Sequence, residues 1–531
     1  MDKVFRLIFF FAVFISFERC KSQPAQRIVT RDTTITPINA ITSLKLDSIY
    51  VDKFLTEKAL ADSTFKRIKD FYISRNYQYA WFNEDGLAEQ AKIFWNLQNY
   101  YLRLNQDSSL YNAILSQRMQ HFLNDTSFSL SESEIPVTEL QLTRHFFEYA
   151  QYAYAGKIDP AELQWHIPRK KLNPSALLDS LVKNKGNNLK EWEPVNGNYL
   201  KLQQKLIRYY DIKNSGGWDS LQINPNLKYG QKDSAIVKLK LRLFAEEDIS
   251  KLDSSIVYDS SVINGINNAR VRYGLNTNGK LDKNLIKELN VSIDDRIKQI
   301  LLNMERMRWL PGADYKNILV ANIPDFTLRV FEDNNVVLKM NIVVGKEGTS
   351  SVIFTDILKY IVFAPYWNVP QSIVKNEIMP AIKRNSNYLS RQNMEITGYN
   401  NGYPVVRQKP GGNNSLGLVK FIFPNSYNIY FHDTPAKSLF DNDKRAFSHG
   451  CIRLQKPFEL ARYLLRNQPE WTDERITEQM HADKEMWVNL KTPVPVLITY
   501  FTAWVDVDDR MHFNEDIYGF DKKLSERLFS K

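Results

Sequence analysis

The chain has 531 residues, too many for one hydrophobic core of ordinary size, and at roughly 150 residues per domain it should hold about three domains. With 43% hydrophobic, 24% charged and 13% aromatic residues, the composition is that of a globular chain and excludes wholesale disorder. The formal net charge of +10 has no basic run behind it, and no groove-reading helix, zinc module or aromatic RNA-binding strand accompanies it, so no nucleic-acid partner is expected.

Residues 1–20 read as a signal peptide or as a lipoprotein or membrane anchor. Lys3 and Arg6 precede an apolar run, Leu7 to Phe17, that is too short for the ~20 residues a membrane helix needs. Cys20 follows as a candidate lipid-attachment site, although Glu18 and Arg19 stand where small residues are usual, so a lipoprotein, a cleaved form and an uncleaved anchor all stay open. The expected location is the periplasm or cell envelope, with membrane contact only through the N-terminus. Residues 21–50, rich in Thr and Ser, read as a flexible tether, and 51–222, helical and aromatic, as a scaffold domain.

Residues 223–291 form a compact helical unit. Ile236, Leu239 and Leu243 share one helix face, Val262, Ile266 and Ala269 a second, and Leu285, Ile286 and Leu289 begin a third helix. Residues 292–315 are a connecting helix, capped by Ser292 and ended by Pro311. From there the period changes to two, with strands predicted at 318–320, 327–331 and 336–344 and a hairpin turn at Glu332 to Asn335. The β-rich domain spans 316–506, and 507–531 is read as a tail. Its insertion, 371–417, is predicted helical around Ile373 to Arg384 and loose from Thr397 to Gly417, a long excursion of the kind that serves as a lid.

Chemistry centres on Cys451. It is one of two cysteines, the other lying beside the leader, so an exported chain offers it no obvious disulfide partner. A thiol nucleophile needs a base or a cation nearby, and His432 and His449 lie within twenty residues. Tyr427 to His432 alternates as a strand with Asn428, Tyr430 and His432 on its polar face. Cys451 to Leu454 alternates too, with Cys451 and Arg453 together. Gly450 permits a backbone turn that would aim N–H groups at an oxyanion. These features assign His432 as base, Cys451 as nucleophile and His449 as orienter or substrate contact, with Asp433 or its backbone holding the His432 ring. On spacing alone, a structural histidine with a small buried cysteine, and a zinc site lacking a fourth ligand, stay open beside this reading.

The His432 spacing with Ser448-His449-Gly450-Cys451-Ile452-Arg453 resembles the signature of YkuD-type L,D-transpeptidases. Tyr366-Trp367-Asn368-Val369-Pro370, Arg391 to Glu395, Val419-Lys420-Phe421, Ile429 to Pro435 and Tyr500 to Val505 resemble its larger YcbB-like subgroup. Residues 224–291 are similar to a peptidoglycan-binding module, and 71–182 to the subgroup's helical scaffold. The fold implied is multidomain α+β: helical scaffold, three-helix module, then a β-rich catalytic domain with a capping insertion. The resemblance implies acyl transfer on peptidoglycan peptide stems, with no cofactor and no metal. Cys451 attacks a tetrapeptide donor, D-alanine leaves, and an amine acceptor completes a 3→3 cross-link. An L,D-carboxypeptidase and an inert wall-binding scaffold are the alternatives. The resemblance also sets Ser448, His449 and Gly450 at the oxyanion or substrate, Arg453 toward a substrate carboxylate, and Tyr430, Trp367 and Asn368 along the cleft. No feature of the sequence indicates an oligomeric state.

Overall fold

The computed structural model describes residues 42–57, 62–124, 134–187, 197–310 and 316–529. The leader with Cys20, the tether up to residue 41 and the helix-ending Pro311 lie outside the described residues. The tether reading does not extend to residues 42–50: Leu46 is buried and helix Ser48–Glu57 begins there.

The chain divides into two compact units, 1–92 with 113–144, and 93–112 with 145–531. The first is helical, with two short strands, β1 (Phe82–Asn83) and β2 (Gly86–Leu87). Its core gathers Ile68, Phe71, Tyr72, Trp81 and Phe82, the aromatic residues that the composition has to place somewhere dry. A fully buried carboxylate, Glu139, orders this core. It accepts the backbone N–H of Ala80 at 2.5 Å, that of Trp81 at 3.0 Å and the Tyr72 hydroxyl at 2.8 Å. Removing it takes the acceptor from the Ala80 and Trp81 N–H groups at about 1–3 kcal/mol each, while the Tyr72 hydroxyl keeps Thr143 Oγ1 at 2.6 Å, so Glu139→Ala is expected to cost at least about 2 kcal/mol. A denaturation midpoint equal to that of the parent would refute this.

In the second unit the three predicted helices are present as Ala235–Ala245, Ser260–Arg272 and Lys283–Leu289, with Ile236, Leu239, Leu243, Val262, Ile266, Ala269, Leu285 and Leu289 all buried. Glu246 sits dry beside them. Burial works against its charge, but Arg242, Arg272 and Arg296 hold its carboxyl down to about 2, and the hydroxyls of Tyr209 and Tyr273 each donate to it at 2.6 Å. The connecting helix, Ile293–Trp309, starts on the Ser292 hydroxyl, which accepts the Asp295 N–H at 3.1 Å, and it is buried on nearly every side. One continuous apolar cluster runs from these helices into the strands that follow.

Those strands are, after a short β3 (Trp165–His166), β4 (Asn317–Asn322), β5 (Thr327–Glu332), β6 (Asn335–Gly345) and β7 (Ile353–Phe363). Asp333 and Asn334 both take positive φ at the predicted hairpin turn. Next come β8 (Trp367–Asn368), β9 (Met394–Asn400) and β10 (Tyr403–Gln408) of the insertion, then β11 (Val419–Ile422), β12 (Phe431–His432), β13 (Ala446–Ser448), β14 (Ile452–Leu454) and β15 (Met486–Thr499). The main sheet runs β11-β12-β14-β6-β5-β4-β15-β7-β3, and β11 also pairs with β7, so the sheet closes on itself.

Three expectations are corrected. The stretch 397–417 is not loose throughout, because β9 and β10 form a hairpin over Asn401 and Gly402, both at positive φ, joined to β8. The turn residues that suggested a loop there are turn residues of a hairpin. Tyr427 to Ile429 is not strand: Asn428 is left-handed, and the Asn425 side chain accepts the N–H groups of Tyr427 and Ile429. Only Phe431 and His432 join the ladder. The segment 507–531 is not a tail as far as residue 529, since β16 (Ala503–Val505) pairs with β17 (Met511–Phe513) and helix Phe520–Leu528 follows, with Phe513 and Leu524 fully buried.

Candidate active site

Three neighbouring strands bring the site together. In β12 and β14, which are parallel, His432 lies opposite Arg453 and Phe431 opposite Ile452. On the other side of β12, Lys420 of β11 lies opposite His432. Lys420, His432 and Arg453 therefore form a row on one face, while Val419, Phe421, Phe431, Ile452 and Leu454 are buried in the core. Cys451 immediately precedes β14 and is half-buried on the side of that row.

The turn carrying Cys451 is built by its neighbours. Ser448 is buried, and its hydroxyl donates to the Cys451 carbonyl at 2.6 Å and accepts the Gly450 N–H at 3.1 Å. Gly450 takes φ 117°, a conformation costly for any side chain, and its carbonyl accepts the Ser351 hydroxyl at 2.7 Å. The Gly450 N–H is thus spent on the turn. Among the described residues the Cys451 N–H has no acceptor, which leaves it free for an oxyanion.

His432 is buried, and its Nδ1 lies 2.5 Å from the Asp433 carbonyl. A carbonyl only accepts, so Nδ1 carries the proton and Nε2 the lone pair. The orienter is the backbone of Asp433. Its carboxylate is engaged elsewhere, accepting the Leu418 N–H at 2.9 Å and the Lys437 ammonium at 2.5 Å. Burial first, then the charges of Arg453 and Lys420, pull the His432 imidazole down to about 3, against the pull of the Asp433 and Leu416 carbonyls.

Burial pushes the Cys451 thiol above its ordinary value. The Tyr430 hydroxyl and N–H, and the charges of Lys420 and Arg453, work in the opposite direction. Sγ donates to the Asn428 carbonyl at 3.7 Å. Among the described residues no hydrogen bond joins Sγ to the His432 ring, as is common before substrate binds. Tyr430 meets the His432 ring edge-on at 5.7 Å and carries the Lys420 ammonium 3.9 Å from its own ring.

His449 is half-exposed, with its Nε2 3.2 Å from Glu377 of the insertion. The insertion has a small core of its own, Val369, Val374, Ile378 and Val406, and Trp367 packs against it; Asn368 is exposed and pairs with Arg407. Trp367 thus belongs to the insertion's packing.

Lys420 and Glu377 were not singled out from sequence. Lys420 carried a legible signal, a cation alternating with buried Val419 and Phe421. Glu377 carried none, because only the docking of the insertion brings it to His449. Among the described residues no cluster of His, Cys, Asp and Glu could hold a metal ion, and no helix is long and apolar enough to cross a membrane.

Comparison with known proteins matches residues 316–496 to the L,D-transpeptidase catalytic domain, YkuD, and residues 66–206 to a scaffold domain. A relative from Haemophilus influenzae described as "Putative L,D-transpeptidase" is 28% identical over 254 residues, 45% of this chain and 50% of its own. The chain thus spans half the length of the curated relative it matches. Among solved structures, an L,D-transpeptidase from Mycobacterium smegmatis is 15% identical over 35% of this chain and 59% of its own, with a TM-score of 0.20. One from Stackebrandtia nassauensis is 13% identical over 52% and 96%, with a TM-score of 0.21. Superpositions this loose add nothing to the fold described above. Nothing in these matches narrows the chain to the YcbB-like subgroup. What the family models and the fold establish together is that this chain carries a YkuD-type L,D-transpeptidase catalytic domain and a separate helical scaffold domain.

Proposed function

We propose that the protein is an L,D-transpeptidase of the cell envelope that forms 3→3 cross-links between peptidoglycan stems through a thioester on Cys451. The observation that carries this reading is the placement of Cys451 on a glycine turn beside the strand-end histidine His432, whose Nδ1 is tied to a carbonyl and whose Nε2 is free to take a proton. The thiol gives its proton to His432, and Sγ bonds to the carbonyl carbon of the third stem residue. The oxyanion that forms faces the Cys451 N–H. The C–N bond then breaks, and the D-alanine amine leaves with the proton held by His432. In the second half, the side-chain amine of another stem attacks the thioester, His432 takes its proton, the C–S bond breaks, and the thiolate is reprotonated.

The insertion over the site favours an amine acceptor over water by restricting solvent access. The module at 223–291 and the scaffold domain would hold the enzyme on the wall. The test is incubation of the purified protein with a disaccharide-tetrapeptide. The expected products are free D-alanine and a 3→3 dimer. Tripeptide without dimer would make the protein an L,D-carboxypeptidase. Absence of both, with unchanged wall chemistry in cells carrying Cys451→Ala, would leave an inert wall-binding scaffold.

A further inference from the structure

The row that holds Arg453, His432 and Lys420 continues past Lys420. Lys420 lies opposite Val362 of β7, and Val362 opposite Trp487 of β15, so Arg453, His432, Lys420, Val362 and Trp487 stand side by side across neighbouring strands. The residues that alternate with them, Phe431, Phe421, Ile361, Phe363 and Val488, belong to the core, which puts Trp487 on the same face as His432. In the adjoining row Ile422 lies opposite Tyr360, and Tyr360 opposite Asn489. Trp487 is 56% exposed, and its ring is held in place rather than left to swing. The Tyr360 ring meets it edge-on at 6.0 Å, and its indole N–H donates to Glu485 Oε1 at 2.9 Å. The other oxygen of Glu485 accepts the Tyr366 N–H at 2.9 Å, at the root of the insertion. The result is a flat, fixed, exposed aromatic surface with the Glu485 carboxylate and the exposed Asn489 side chain near its rim.

We propose that Trp487 and Tyr360 form a sugar-binding platform that seats the amino sugar carrying the acyl donor's stem. This rests on the acyl-transfer reading above. Neighbouring strands lie about 4.8 Å apart, so the three steps from His432 through Lys420 and Val362 to Trp487 cover about 14 Å along the sheet. In a donor attacked at its third residue, the extended stem from that carbonyl back to the first residue covers about 10 Å, and the acyl link to the sugar spans the remainder. A sugar ring presents C–H groups on its face, which the electron-rich face of an indole attracts, and hydroxyl and amide groups around its edge, which need polar partners. A flat aromatic centre with a polar rim answers both, whereas an apolar side chain is better served by a concave pocket. A sugar seated on Trp487 sets the direction in which the stem crosses the sheet toward Cys451. The enzyme then prefers stems still attached to glycan over free peptides.

The direct test does not depend on turnover. The full chain is labelled with 5-fluorotryptophan, and the fluorine resonance missing from Trp487→Phe is assigned to Trp487. That resonance is expected to shift on addition of the peptide-free wall disaccharide and to stay in place with a sugar-free tetrapeptide. A resonance that the disaccharide leaves unmoved at millimolar concentration, or that the tetrapeptide moves equally, overturns the platform. A second measurement compares KM for D-alanine release from a disaccharide-tetrapeptide and from the free tetrapeptide. In the parent the sugar should lower KM about tenfold; Trp487→Ala should erase most of that advantage, and Trp487→Phe should keep most of it. Equal losses on both donors would make Trp487 a structural residue, and a loss confined to dimer formation would give the platform to the acceptor; either result overturns the proposal. Turnover of neither donor by the parent would sink the acyl-transfer reading, while the fluorine resonance would still decide the platform.

Discussion

Cys451→Ala is expected to remove acyl transfer altogether, by at least about 10⁴-fold, while leaving the fold in place. The side chain is half-buried at the edge of the ladder, and its polar contacts, to the Asn428 carbonyl at 3.7 Å and to Tyr430, fill little space, so truncation removes little packing. The turn it sits on is fixed by Ser448, Gly450 and Ser351, none of which depends on the thiol. Intact-mass spectrometry after exposure to a carbapenem checks this. The parent should gain one adduct, located at Cys451 after digestion, and the variant should gain none. An adduct elsewhere, or a parent thiol left free in a folded protein, would remove Cys451 from the role of nucleophile.

His432→Gln should lower acylation by about 10²–10⁴-fold, the usual contribution of a positioned base and acid. Alkylation by iodoacetamide should fall less than about tenfold, because it needs no protonated leaving group and because Sγ rests against Asn428 rather than the imidazole. The pH dependence follows from the two shifts. His432 is held down to about 3 by burial and by Arg453 and Lys420, so its ring is neutral from mildly acid to alkaline pH and contributes no acid limb near the ordinary histidine value. The thiol is pushed above its ordinary value by burial, so below that value the thiolate fraction grows tenfold per pH unit. The logarithm of the alkylation rate should rise with a slope of about 1 between roughly pH 6 and 8. A plateau beginning near about pH 5 would mean a preformed thiolate–imidazolium pair and would contradict this electrostatic picture.

How far the sequence reaches differs from element to element. The three helices between 235 and 289 were legible because each buries apolar residues at helical spacing, a local property; Ile236, Leu239 and Leu243 are buried as their spacing predicts. The strands from 317 to 345 were legible from their runs of β-branched and apolar residues; the first half of β6 alternates in burial, whereas β4 and β5 are buried on both faces. The β9–β10 hairpin was read as loop, since its alternation is broken by Gly398, Pro404 and a bulge at Val405 and Val406, and its turn residues outweighed what remained. The fold of the segment after 506 was missed because short strands and one helix carry little periodicity of their own. Phe513 and Leu524 are buried there by the rest of the unit.

The sequence by itself determined which thiol and which imidazole are proposed as nucleophile and base, and where a glycine turn stands, because a thiol, an imidazole and a residue tolerant of positive φ are chemical identities that no folding can supply. It also placed Cys451 and Arg453 on one face, since alternation along a strand is local. Only the tertiary structure decided what surrounds them. Strand pairing is a long-range event, and its register set Lys420 and Arg453 on either side of His432, residues from three separate stretches of chain. It made the Asp433 carbonyl, not the carboxylate, the partner of His432, and it committed the Gly450 N–H to Ser448. Burial then set the electrostatics: the same histidine in water would titrate near its ordinary value, and only a dry site between two cations keeps it neutral.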